Sequence, residues 1–305
     1  MTDVLLLDPH ADEVCELLRQ AAPELSIICN AEEADRCPIW LGEPDVAAAL
    51  LAQGAKPRWL QSTWAGFKPL LAAGLPRDYR LSRAVGVFGQ PIAEYILAYM
   101  LRHRQQLDER SASQARGEWN HRQPHLLAGQ RVLIVGAGDI GSEVAGFLQP
   151  FGVELIGIAR TPRAIAHFSQ VVGMEQLPGM VGSADYLINI LPDTPATSDV
   201  YDAGLFAAMR PSALFINVGR GSAVVDADLV SALQQGLLAG AVLDVFRAEP
   251  LPAGHPFWRT PNLTITGHIA GPAVPSLLVR LFVDNLARLQ RGETLRGEVS
   301  FEQDY

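Results

Sequence analysis

The stretch Arg131-Val132-Leu133-Ile134-Val135-Gly136-Ala137-Gly138-Asp139-Ile140-Gly141 decides how this chain folds. The unbroken apolar run Val132–Val135 suits a strand buried on both faces. Three glycines follow at G-x-G-x-x-G spacing, and the residues through Pro150 have helical spacing. Glycine turns alone are common, but strand, glycine turn and helix in this order form the setting that a dinucleotide fingerprint requires. Each glycine has its own reason. Gly136 permits the tight turn, Gly138 lets the backbone approach a pyrophosphate, and Gly141 lets the helix pack close to the strand. The helix start at Asp139 and Ile140 then offers the N–H groups of its first turn and a partial positive charge to phosphates.

Downstream, further strands are predicted at Val153–Ala159, Asp185–Ile190, Ala213–Val218, Gly240–Val245 and Leu263–Thr266, with helices between them. Upstream, the apolar runs Val4–Asp8, Leu25–Cys29, Ile39–Gly42 and Trp59–Ser62 read as strands. The segments Asp12–Ala22 and Asp45–Gln53 read as helices. Alternation of this kind implies parallel sheets with helices on both faces. Both halves are thus doubly wound α/β units. Pro91 opens a long helical stretch, Ile92 to about Arg116, which joins two domains or two subunits. An amphipathic helix, about Pro275–Arg291, comes near the end of the sequence.

The 305 residues, 49% of them hydrophobic, favour two domains. A net charge of −9 gives nucleic-acid binding no support. Three cysteines without a CxxC pair, Cys15, Cys29 and Cys37, read as small buried residues in a reducing setting. Asp3 stands where a secretory leader would carry Lys or Arg, and no apolar run reaches about 18 residues. The expectation is a cytoplasmic protein without a membrane span. No histidine–carboxylate cluster has metal-ligand spacing, so no metal is expected.

The second strand of the glycine unit separates two cofactors. About 20 residues past the glycines, NAD enzymes place an Asp or Glu on the ribose 2′-hydroxyl. Here that position is Ala159, followed by Arg160-Thr161-Pro162-Arg163. Two guanidinium groups and a hydroxyl suit a 2′-phosphate. NADP(H) is therefore expected over NAD(H), unless both arginines are ordinary surface charges.

Three ionisable residues follow successive strands of this sheet: Arg220 between Gly219 and Gly221, Glu249 before Pro250, and His268 between Gly267 and Ile269. They should converge at one sheet edge. An imidazole can give or take a proton, a neighbouring carboxylate fixes its tautomer, and an arginine polarises a carbonyl or anchors an acid group. Taken singly, each has a bland alternative as a surface or structural residue.

At these residues the chain resembles the D-isomer-specific 2-hydroxyacid dehydrogenase family. The resemblance runs from Gly129 to about Gly271. It covers the strand–glycine unit, Leu191-Pro192 with Thr194 and Thr197, Ile216 to Gly221 through Val218, Asp244 to Leu251, and His255 to Gly271. It implies that Arg220, Glu249 and His268 are the catalytic set and that Asp244 contacts the nicotinamide carboxamide. It implies a flavodoxin-like substrate domain from residues 1–91 and 276–305, a Rossmann NAD(P)-binding domain from residues 92–275, and a homodimer joined through the helix from Ile92. The family's substrate loop, whose backbone N–H groups bind a carboxylate, corresponds to Ser62–Phe67. Here Gly66 is kept, Ala65 precedes it, and Trp64 and Phe67 are bulky. Trp64 either shapes the substrate pocket or packs in the core. Trp258 either lines the active site of its own or the adjoining subunit, or anchors its loop. Gly267 replaces the proline that many members carry.

The shorter glyoxylate/hydroxypyruvate reductase branch is the nearest in pattern, on Ala159-Arg160 and His255-Pro256-Phe257-Trp258-Arg259. The resemblance implies an NADPH-preferring reductase of small 2-oxo acids to D-2-hydroxy acids, with His268 as proton donor. A nucleotide-sensing, corepressor-like protein of the same fold is the alternative. The intact Arg220, Glu249 and His268 argue against it.

Overall fold

The computed structural model describes residues 2–9 and 11–301. The expected second segment of the substrate domain, 276–305, thus has its last four residues outside the described ones. The chain divides into two compact units, Met1–Phe88 with Ala273–Tyr305, and Gly89–Pro272.

The first unit begins β1 (Thr2–Leu7), α1 (Ala11–Ala21), β2 (Leu25–Ile28), β3 (Ile39–Gly42), α2 (Pro44–Ala52), β4 (Trp59–Ser62) and β5 (Arg80–Ser82). The chain then forms the second unit with α3 (Gly89–Arg104), α4 (Leu107–Ala115), β6 (Arg131–Val135), α5 (Asp139–Leu148), β7 (Glu154–Ala159) and β8 (Gln170–Gly173). It continues with α6 (Leu177–Met180), β9 (Tyr186–Asn189), α7 (Ala203–Ala207), β10 (Leu214–Asn217), α8 (Asp226–Gln234), β11 (Gly240–Leu243) and β12 (Leu263–Ile265). It returns to the first unit with α9 (Pro275–Arg291) and β13 (Glu298–Val299).

The first sheet has the order β13-β5-β4-β3-β1-β2, parallel except for β13. Its first five strands follow the flavodoxin-like order 2-1-3-4-5. Helix α9 covers it with one apolar face, burying Leu278, Val279, Leu281, Phe282, Leu286 and Leu289. Each such side chain contributes about 1.5–3 kcal/mol on burial. Phe282 stacks on Trp59 with ring centres 5.1 Å apart. On the same helix, buried Asn285 donates to Gln61 Oε1 at 2.8 Å and accepts from Arg296 N at 2.7 Å. Helix and C-terminal segment are thereby fixed to β4. Gly292, at φ 70°, ends the helix in the left-handed conformation that glycine allows.

The second sheet has the order β12-β11-β10-β9-β6-β7-β8, all parallel. Its first six strands follow the Rossmann order 3-2-1-4-5-6, with β12 added at the edge. Val132, Leu133, Ile134 and Val135 of the central strand are wholly buried, as their apolar run requires.

The long helix expected from Ile92 to Arg116 is two helices. The stripe Ile92, Ile96 and Met100 that buries α3 is not continued past the chain's charged stretch. Gln106 turns left-handed at φ 53°, Arg110 Nε takes the released Gln105 carbonyl at 2.7 Å, and Arg102 pairs with Asp108 across the break.

Candidate active site

Strands β6, β9, β10, β11 and β12 are neighbours in one parallel sheet, so the loops after them share its carboxyl edge. Ligands of such sheets bind there. In the loop after β6, Gly136 has φ 108°, and a Cβ on it would stand 2.7 Å from the Ile190 carbonyl oxygen. A Cβ on Gly141 would strike the Gly136 carbonyl. Both glycines are therefore forced by close backbone approach. Gly138 differs, because a Cβ there would meet nothing of the chain. It precedes α5 without a side-chain cap. The N–H groups of Gly138, Ile140 and Gly141 find no acceptor among the described residues, the first bond of the helix being Ser142 N to Gly138 O. Glycine backbone open on one side, leading into uncapped N–H groups, fits a pyrophosphate. Beyond β7, Ala159 is buried whereas Arg160, Thr161 and Arg163 are exposed, with no carboxylate in that run.

The loops after β9 and β10 are tied by a polar network that apolar patterning does not reveal. Asn189 and Asn217 face each other in register and are fully buried. Asn189 Nδ2 donates to Asn217 Oδ1 at 2.8 Å, and Asn189 Oδ1 accepts from Leu191 N and the Tyr201 hydroxyl, each at 3.1 Å. Asn217 in turn accepts from Gly219 N at 3.1 Å and donates to Arg220 O at 3.1 Å. The repeated Ile-Asn at the ends of two strands, Ile188-Asn189 and Ile216-Asn217, is the signal that could have found it. Next to it, Thr197 Oγ1 donates to Pro192 O at 2.6 Å, closing the turn that carries Leu191 and Pro192.

Gly219 and Gly221 flank Arg220 for a steric reason. A Cβ on Gly219 would lie 2.8 Å from Leu191 N and O, and one on Gly221 would enter the Phe246 backbone. Val218 is buried and Arg220 half-buried, with its Nη1 on the Gly219 carbonyl at 2.7 Å. Burial lowers the guanidinium pKa, and the charges of Glu249 and Asp193 oppose that shift.

Glu249 accepts from Phe246 N through Oε1 at 2.8 Å and meets His268 Nδ1 through Oε2 at 2.7 Å. An ionised carboxylate only accepts, so Nδ1 carries a hydrogen and Nε2 is left for exchange with a bound molecule. His268 is half-exposed and sits at φ 58°, which costs a non-glycine residue roughly 1 kcal/mol or more. Asp244, buried at the end of β11, holds it there. Its carbonyl accepts from His268 N at 2.8 Å, Oδ1 accepts from Ile269 N at 2.9 Å, and Oδ2 accepts from Ala270 N at 2.8 Å. Thr266 Oγ1 adds a bond of 2.6 Å to Oδ1. Asp244 thus has a structural task that sequence reading missed.

Two further loops carry predicted residues. In the first unit, Trp64 N donates to Ser62 Oγ at 3.1 Å and Ala84 N donates to the Trp64 carbonyl at 3.0 Å. The N–H groups of Ala65 and Gly66 find no acceptor among the described residues. The Trp64 ring is partly exposed rather than in the core. Trp258 is exposed, and its Nε1 donates to Pro252 O at 2.9 Å, so it braces its loop. No group of metal-ligating side chains occurs among the described residues, and no helix is long and apolar enough to cross a membrane.

Fold and site define the class: a two-unit α/β dehydrogenase built around a dinucleotide-binding Rossmann unit. A model of the D-isomer specific 2-hydroxyacid dehydrogenase NAD binding domain matches residues 97–270. The chain is 40% identical over 210 residues to a glyoxylate/hydroxypyruvate reductase A of Serratia proteamaculans, covering 69% of this chain and 67% of that enzyme. A crystal structure of a D-isomer specific 2-hydroxyacid dehydrogenase family protein from Aeromonas salmonicida superposes with a TM-score of 0.90 at 36% identity, covering 98% and 99% of the two chains. An NADPH-dependent glyoxylate/hydroxypyruvate reductase from Sinorhizobium meliloti, in complex with NADP and sulfate, superposes with a TM-score of 0.86 at 28% identity over the full length of both. The chain belongs to the D-isomer specific 2-hydroxyacid dehydrogenase family.

Proposed function

We propose that this dehydrogenase works as an NADPH-preferring reductase of small 2-oxo acids, glyoxylate and hydroxypyruvate first among them, giving D-2-hydroxy acids. The observation that carries the chemistry is the 2.7 Å contact between His268 Nδ1 and Glu249. Reduction of a ketone requires a proton on oxygen as well as a hydride on carbon. His268 Nε2 gives that proton and takes it back in the reverse direction, while Glu249 fixes the ring and stabilises the imidazolium. Arg220 polarises the carbonyl or binds the acid group by paired hydrogen bonds. The unpartnered N–H groups of Ala65 and Gly66 suit the substrate carboxylate.

When bound, the nicotinamide cofactor supplies the hydride. Gly136, Gly138 and Gly141 with the start of α5 receive its pyrophosphate, and Arg160, Thr161 and Arg163 receive the 2′-phosphate. The S. meliloti relative's use of NADPH supports this preference. The name of the S. proteamaculans relative supports the substrate class. Trp64 and Trp258 are the bulky side chains that would limit substrate size.

The test follows absorbance at 340 nm with NADPH or NADH and a panel of glyoxylate, hydroxypyruvate, pyruvate, phenylpyruvate and oxaloacetate. Fast NADPH consumption with the smallest acids is expected. His268→Ala should lose about 10²–10⁴-fold in kcat, the usual worth of a general acid, and keep cofactor affinity. Near-normal turnover by that variant would remove the acid–base assignment.

A further inference from the structure

One line of contact reaches the His268 loop from a helix distant in sequence. Tyr95 on α3 and Thr266 just after β12 are 171 positions apart, yet their hydroxyl oxygens are 2.6 Å apart. The direction of each bond follows from counting hydrogens. Asp244 as a carboxylate only accepts, so the single hydroxyl hydrogen of Thr266 goes to Asp244 Oδ1 at 2.6 Å. Thr266 can then only accept from Tyr95, whose hydroxyl must donate. The chain therefore runs Tyr95 to Thr266 to Asp244, and Asp244 takes Ile269 N and Ala270 N, the two residues after His268. The left-handed backbone of His268 needs such an anchor.

The wider packing keeps Tyr95 in place. Tyr95, Tyr99 and Arg102 lie at helical spacing on one face of α3. The Tyr95 and Tyr99 rings touch with centres 4.8 Å apart. Arg102 Nη1 reaches Thr264 Oγ1 at 3.4 Å. Thr264 and Thr266 share one face of the edge strand, so α3 grips that strand at two rungs, of which only the Tyr95 rung continues to the loop. The Tyr95 hydroxyl is half-buried, and desolvation raises its pKa well above the ordinary phenol value, which keeps it a donor.

We propose that Tyr95 is a positioning residue: its hydroxyl, through Thr266 and Asp244, sets the backbone that aims His268 at its substrate. The proposal rests on the acid–base reading of His268, and the experiment separates the two. Tyr95→Phe deletes one oxygen and keeps the ring. In the wild-type background it should lower kcat with glyoxylate and NADPH roughly 3- to 10-fold, the worth of one hydrogen bond, with KM for NADPH unchanged. In a Thr266→Val background the link is already cut, so Tyr95→Phe should change kcat less than 2-fold. Equal losses in both backgrounds, or none in either, overturn the relay.

A second readout needs no turnover. Hydrogen exchange of the 266–271 segment should accelerate in Tyr95→Phe and in Thr266→Val while that of β6 stays as in the wild type. Unaltered exchange overturns the proposal. If His268→Ala keeps its turnover but the exchange changes appear, the acid–base reading fails and the relay stands.

Discussion

Asn217→Leu exchanges a buried amide for an apolar group of similar size. It removes three hydrogen bonds: from Asn189 Nδ2 at 2.8 Å, from Gly219 N at 3.1 Å, and to Arg220 O at 3.1 Å. Arg220 is half-buried, so its carbonyl can turn to water. The Asn189 amide and the Gly219 N–H cannot, because both are buried. Two stranded donors cost about 2–6 kcal/mol together. The leucine returns about 1–2 kcal/mol of apolar burial. At mid-range the net loss is about 2.5 kcal/mol, a large share of the roughly 5–15 kcal/mol that holds a typical protein folded. Urea unfolding followed by far-UV circular dichroism measures it; tryptophan emission reports mainly Trp40 and Trp59 in the other unit. Kinetics give the second half of the prediction. The stranded groups lie beside Arg220, so KM for the 2-oxo acid should rise more than KM for NADPH. A stability loss below about 1 kcal/mol with unchanged kinetics would refute the idea that the paired asparagines hold the Arg220 loop.

Arg160→Ala combined with Arg163→Ala should raise KM for NADPH roughly 10- to 100-fold and leave NADH nearly unchanged, since charge-assisted bonds to the 2′-phosphate are lost; an equal loss for both cofactors would point away from these arginines. Gly138→Ala should leave urea stability within about 0.5 kcal/mol of the wild type, because the added Cβ meets nothing of the chain. The same variant should bind both cofactors at least 10-fold more weakly by fluorescence titration, because the methyl group stands where the pyrophosphate must approach. Arg80, hydrogen-bonded to Glu298, lowers that carboxyl's pKa below 4.5. A carboxyl with a depressed folded-state pKa stabilises above its unfolded value and loses that contribution as pH falls through the folded one. Glu298→Gln should therefore be slightly less stable than the wild type at pH 7, and the gap should narrow as pH falls past the ordinary glutamate value and close as it passes through the lowered one.

Where the sequence pattern is strong, its reading coincides with the structure. Ile39–Gly42, Trp59–Ser62 and Pro275–Arg291 have the same bounds in both, because apolar runs and a capped amphipathic face are local signals. The glycine turn is legible for the same reason: strand, turn and helix are contiguous in the chain. Arg80–Ser82, Gln170–Gly173 and Glu298–Val299 escape, since two to four residues show no period and these strands form only beside a neighbour already in place. The break at Gln106 escapes because polar helical residues read alike on either side of it. In the site, Arg220, Glu249 and His268 stand out by their positions after strand ends. The pairing of Asn189 with Asn217, 28 positions apart, leaves only the repeated Ile-Asn at two strand ends as its trace, and the role of Tyr95 depends on a partner 171 positions away that no local pattern encodes.

The first unit is interrupted by the second, and that interruption orders events on the ribosome. Strands β1–β5 emerge early, but the helix whose Phe282 covers Trp59 emerges only after Pro272. Synthesis of the roughly 180 intervening residues, at about 5–20 residues per second, takes about 10–40 seconds. At the end of that interval the inserted unit has all its strands and can close its own core, while Trp59 still lacks Phe282 and Gln61 still lacks Asn285. The half that starts first is thus completed last, and a nascent chain stalled beyond Pro272 would present an open sheet face to chaperones next to a finished nucleotide-binding unit.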